Sequence, residues 1–139
     1  MTAKEYLSQY RDAVEDIKVK NAELEKLRED AVSISPSSSA EHTTGNISDK
    51  VGRKAPEIAD LEREIEEEKA AARLLRRDIR ASISEIPIKD LRHLLTYRYI
   101  CGCTFESVAV KMGRSYYHVV HRLHPAALKK IGDTNFSKK

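Results

Sequence analysis

Tryptophan is missing from this 139-residue chain, and aromatics make up only 6% of it against 34% charged residues. That balance argues against a single large globular core and fits long solvated helices. No run of about 18 apolar residues occurs anywhere. The opening MTAKEYLSQYRD is charged within four residues and lacks the apolar stretch of a secretory leader, so a soluble intracellular protein is expected. There are two cysteines, Cys101 and Cys103, separated by one residue. Neighbours that close rarely form a structural disulfide, and a reducing compartment suits them. Catalytic signatures are missing as well: no nucleophile in a recognisable elbow, no paired acids in a predicted cleft, no glycine-rich phosphate loop. Neither an enzyme nor a bound cofactor is expected.

What is present is an uneven charge. The net +3 divides at Pro87 into 15 Lys+Arg against 19 Asp+Glu before it and 10 against 3 after it, so the C-terminal part carries +7. A polyanion is the partner such an end would attract.

Thr2 and Glu5 have the spacing of a capping box, a hydroxyl and a carboxylate each satisfying a free amide at a helix start. Apolar or small residues then recur at Ala3, Leu7, Tyr10, Val14, Ile17, Leu24 and Ala31, with Asn21 and Arg28 filling the gaps. That is a narrow coiled-coil seam with polar insertions, over residues 1–31. Residues 32–56, VSISPSSSAEHTTGNISDKVGRKAP, lose all period and read as a flexible linker. Pro56 suits the first turn of the next helix, where a missing amide costs nothing.

Over residues 57–85 a second seam runs through Ile58, Leu61, Ile65, Ala72, Leu75, Ile79 and on to Ile86, interrupted by Glu68 and Ser82. Its surface, EREIEEEKAAARLLRRDIR, is acidic toward the start and basic toward the end, as a helix dipole favours. The acidic run reads as a solvated coiled-coil face or a dock for a basic partner. Two helices with one seam each suggest an antiparallel hairpin, although the same seams would also pair between chains. Asn21 either fixes register or simply tolerates exposure.

Beyond Pro87 the period gives three shorter helices. Residues 88–100 bury Leu91, Leu94, Leu95 and Tyr99 and end at a left-handed Gly102. Thr104 caps a helix over 105–112, with Phe105, Val108, Ala109 and Met112 inward. Gly113 makes the turn, and Ser115 caps a third helix running to His124, which Pro125 should end or kink. Ala109, Gly113 and Val119 have the spacing of a helix-turn-helix, whose second helix enters the major groove of duplex DNA. With Val119 and Leu123 facing the core, about 100° per residue turns Tyr116, Tyr117, Val120 and His121 outward as base-reading candidates. Arg114, Ser115, His118, Arg122, Lys129 and Lys130 are placed as phosphate contacts.

A metal site is the competing reading of SYYHVVHRLH, but Cys-x-Cys with His118, His121 and His124 matches no standard zinc spacing. No metal is therefore expected. Tyr97, Tyr99, Tyr116 and Tyr117 would also suit stacking on single-stranded bases, although Tyr99 is better placed in the core.

The stretch LTYRYICGCTFESVAVKMGRSYYHVVHRLHPAALKKI resembles region 4 of bacterial RNA polymerase sigma factors. Leu95, Arg98, Tyr99, Gly102, Thr104, Glu106, Val108, Ala109, Met112, Gly113, Ser115, Val119, Ala127, Leu128 and Lys130 carry the likeness. The whole chain is similar to a family of small phage and prophage proteins related to the ArpU/RinA type of late transcription regulators. That family opens M-x-A-K-E-Y-L and ends Y-S-Y-x-H-V-x-R-L-H-x-x-A-L. The resemblance implies a transcription regulator in the bacterial cytoplasm that binds double-stranded DNA, with RNA polymerase as a further partner.

The expectation is thus an all-α protein: a coiled-coil hairpin, a helix-turn-helix domain over residues 86–131 and a disordered tail over 132–139. A lone helix-turn-helix binds weakly, so a homo-oligomer, a dimer through the arm, is expected. Two other classes compete: an adaptor that binds polymerase or another protein, and a packaging-related DNA binder like the small terminase subunits.

Overall fold

The computed structural model describes residues 1–32 and 44–135, with side chains over 1–32 and 55–133. Apart from the turns that join its helices the described chain is helical, with no strand among the described residues. Helix α1 is Ala3–Val32 and α2 is Thr44–Ser84. Helix α3, Lys89–Leu95, continues into a widened π-type turn at Thr96–Ile100, and α4 is Phe105–Met112. Helix α5, Tyr116–His118, passes through a second widened turn, Val119–Leu123, directly into α6, His124–Asn135. None of the described helices is long and apolar enough to cross a membrane.

The chain divides into two compact units, one of Met1–Ala13 with Ala72–Lys139 and one of Val14–Ala71. The second has a small core, in which Leu24, Leu61 and Ile65 are buried with Ile17, Leu27 and Ile58 packed around them. Two of its polar seam positions, Glu68 and Arg28, have partners. Lys20 donates to both Glu64 and Glu68, and Arg28 lies 3.5 Å from Glu62. Asn21 is exposed, so its side chain fills no core position.

The first unit holds the larger core: Leu7 on α1, Ile79 and Ile83 on α2, Ile86 between helices, and Leu91, Leu94, Leu95, Tyr99, Val108, Ala109, Val119, Ala127 and Ile131 from the C-terminal helices. The seam serine Ser82 is buried here because its hydroxyl meets Tyr6 Oη at 2.9 Å and donates to the Asp78 carbonyl at 3.1 Å. At the start of α1 the capping box forms as the spacing predicts. The Thr2 amide donates to Glu5 at 2.7 Å and the Glu5 amide to Thr2 at 3.1 Å.

Four boundaries differ from the sequence reading. Residues 44–56, expected within the linker, belong to α2, and Pro56 lies inside that helix rather than in its first turn. The loss of apolar period was misleading there. Lys50, Arg53, Lys54 and Ala55 are good helix formers whatever faces they occupy, and a proline forfeits one amide hydrogen bond without forbidding the helix. Residues 33–43 of the expected linker lie outside the described residues. At the other end α6 runs to Asn135, so residues 132–135 are helical rather than tail, and 136–139 lie outside the described residues. Finally, Pro125 does not end the helix. The widened turn before it is closed by the His124 amide bonding to the Val119 carbonyl, five residues back. A shift from i−4 to i−5 pairing is the kind of adjustment that makes room for a ring with no amide to donate.

Candidate nucleic-acid interface

The site is built on the turn between α4 and α5. Thr104 accepts from the Ser107 amide at 3.1 Å and starts α4, which buries Val108 and Ala109. Gly113 ends it at φ 66°, a left-handed conformation that costs a residue with a Cβ about 1–2 kcal/mol. Ser115 then accepts from the His118 amide at 3.1 Å and opens α5. Two hydroxyl caps and one glycine thus fix the angle between two short helices, each cap contributing about 1 kcal/mol.

Val119 is fully buried, and this orients the rest of its helix. Tyr116 is 48% and Tyr117 63% exposed, and Ser115, His118, His121 and Arg122 are exposed as well. Val120 is half-buried. The Tyr117 and His121 rings lie one turn apart with centroids 4.5 Å from each other and planes tilted by 37°, forming one composite surface of π-face and ring nitrogen. Lys129 is exposed and Lys130 half-buried on α6. Each candidate therefore has a position that solvent reaches.

Arg114 is the exception among the expected phosphate contacts, because it is engaged within the chain. Its guanidinium donates to Asp90 Oδ2 at 2.8 Å. This bond first, and the arginine's charge second, hold the Asp90 carboxyl below its ordinary range. An anion reaching Arg114 has to compete with Asp90.

His124 behaves unlike the other two histidines of its segment. It is buried beneath the turn, with Nε2 2.7 Å from Tyr99 Oη and its ring 4.9 Å edge-on to Phe105. Burial, and then the charges of Lys4 and Arg98, lower its pKa to about 4, so at neutral pH it is an uncharged core residue. Tyr99 is pushed up by burial and stays protonated; with the imidazole proton on Nδ1, it donates to Nε2. Among the described residues no group of three or more His, Cys, Asp or Glu is placed to hold a metal ion.

The structural roles of three residues, Arg98, Ala127 and Ile131, were not legible in the sequence. Arg98 matched a family position, but its job here is internal. It donates to the Cys103 carbonyl at 3.0 Å and lies 4.2 Å over the Phe105 ring, tying the end of the widened turn to α4. Ala127 and Ile131 are fully buried on α6 and belong to the larger core. The basic end of the second helix, read in the sequence as a match to the helix dipole, places Arg73, Arg76, Arg77 and Arg80 all exposed on α2.

Comparison with family models, with curated proteins and with solved structures finds no match to this chain.

Proposed function

We propose that the protein is a sequence-specific DNA-binding transcription regulator of the phage type. In this reading α4 and α5 act as a sigma region 4-like helix-turn-helix, and α1 and α2 form an antiparallel two-helix arm through which chains dimerise. The observation that carries the reading is the Ser115-capped helix. It buries Val119 beside the Gly113 turn and leaves Tyr116, Tyr117, His118, His121 and Arg122 to solvent. An aromatic and imidazole face on a capped helix, in a stretch carrying +7, suits base edges flanked by phosphates.

Tyr117 and His121 read bases, while Ser115, His118, Arg122, Lys129 and Lys130 hold the backbone. Selection of bound duplexes from a random pool by the full chain, with Tyr117→Ala alongside, tests this. The expected result is an enriched motif whose preference relaxes by roughly tenfold in the variant. An equal loss on selected and random duplexes would contradict base reading by Tyr117.

Val110, 82% exposed in the middle of α4, favours a second reading in which this domain docks on a protein such as RNA polymerase. A stable polymerase complex lost in Val110→Glu, with no enriched DNA motif, would put that reading first.

A further inference from the structure

Four arginines of α2 stand at positions 73, 76, 77 and 80, spaced i, i+3, i+4, i+7. At about 100° per residue they share an arc of about 100°, beside the face of α2 that buries Ala72, Ile79 and Ile83. With Ala81 and Ser84 they line a shallow groove of about 520 Å³. Arg73 and Arg80 are separated by roughly 10 Å of helix rise.

Nothing among the described residues accounts for the cluster. Among the described residues Lys18, Lys20, Lys26, Arg28, Arg63, Lys69 and Arg114 each have a carboxylate partner, whereas none of these four arginines is ion-paired. Like charges three and four residues apart repel one another on a helix surface. The helix dipole does not compensate. Helix α2 ends at Ser84 with no basic residue in its last turn, and the dipole's benefit fades within that turn. Folding alone would favour a glutamate among them. The pattern is what an anionic occupant would favour, because each guanidinium offers a planar fork of donors that matches phosphate oxygens.

We propose that Arg73, Arg76, Arg77 and Arg80 form a second phosphate-binding surface that grips the sugar-phosphate backbone of duplex DNA outside the segment read by α5. This rests on the DNA-binding reading above and extends it to the base of the arm. The stripe's length corresponds to about three base-pair steps of rise along a strand. It carries four charges and no aromatic side chain among its lining residues, so it would bind without sequence preference. The affinity of the protein would thus divide between a reading helix and a non-reading clamp.

The test measures duplex binding by the full chain from about 50 to 200 mM salt, for the selected duplex and a random one. It compares wild type with the fourfold variant Arg73→Gln/Arg76→Gln/Arg77→Gln/Arg80→Gln. Each phosphate contact contributes about 0.9 to the slope of log K against log salt, so the variant is expected to lose roughly 2–4 of that slope. Both duplexes should weaken by the same factor, at least about tenfold. Wild-type slope and affinity in the variant, with Tyr117→Ala still relaxing preference, would overturn the clamp and leave the reading helix standing. Slope loss in the variant of a protein that selects no motif would keep the clamp and sink sequence-specific regulation. Undiminished duplex binding together with lost binding of a poly-glutamate chain would assign the groove to an acidic protein and overturn the proposal. Should the fourfold variant lose its helical circular dichroism, the pairs Arg73→Gln/Arg77→Gln and Arg76→Gln/Arg80→Gln carry the same test, each expected to lose about half of the slope.

Discussion

The two compact units differ in what their charges do. The unit of Val14–Ala71 contains 9 Lys+Arg and 15 Asp+Glu, and two of its described cations are neutralised across the helices, Lys20 by Glu64 and Glu68, Arg28 by Glu62. The unit of Met1–Ala13 with Ala72–Lys139 contains 16 Lys+Arg and 7 Asp+Glu, and among its described residues most exposed cations face solvent without an acid. Their cores differ in the same direction: among the described residues the central cluster has three buried apolar members in the acidic unit and thirteen in the basic one. The acidic unit uses charge to hold itself together around little apolar surface. The basic unit is held by its core.

That contrast breaks most visibly if the cores are attacked. Leu94→Ala, at a fully buried position among many neighbours, is expected to cost about 2–5 kcal/mol, and Leu61→Ala nearer 2, because the thinner core around Leu61 can close over the gap. Urea denaturation followed by circular dichroism reads both. Equal losses would mean that the small core is as tightly packed as the large one.

Next in size is a pH effect confined to the basic unit. His124 has a folded pKa of about 4, below the unfolded value near 6.5, so the folded state binds fewer protons between those values. Stability should be complete above pH ~6.5 and fall as pH drops toward 4, by up to about 3 kcal/mol from this group. His124→Gln should remove that part of the pH dependence whatever it costs at pH 7. Parallel stability curves for wild type and variant over this window would show that His124 does not carry it.

The smallest effect sharpens the charge side of the comparison. Asp90 is the acid that occupies one cation of the basic unit, and Asp90→Asn releases Arg114. Random-duplex affinity is expected to rise a few-fold, on the order of one added phosphate contact in the salt series. No change would place Arg114 away from DNA.

Much of this could be read from residues. The caps at Thr2, Thr104 and Ser115, the left-handed glycines at 102 and 113, and the buried Leu91, Leu94, Leu95, Tyr99, Val108 and Val119 follow from local chemistry and period. The same period failed at the widened turns. A straight 3.6-residue helix from Val119 puts Leu123 inward and His124 toward solvent. The i−5 bond from His124 to Val119 instead carries His124 into the core and leaves Leu123 half-buried, and Ala127 and Ile131 follow in the new phase. Asp90 and Arg114 are 24 residues apart, and nothing in either neighbourhood announces the pair.

What the sequence determined by itself is therefore the set of local choices: an all-helical chain, where its short helices begin and turn, and which end is basic. Those depend on groups within four residues of one another, whose hydrogen bonds and rotamer preferences hold in any surroundings. The tertiary structure decided which cations are free and which are engaged, which histidine is core and which surface, and that α2 carries an unpaired arginine face. These depend on groups far apart in sequence and on the phase of a helix after a widened turn, and only the packed chain supplies either.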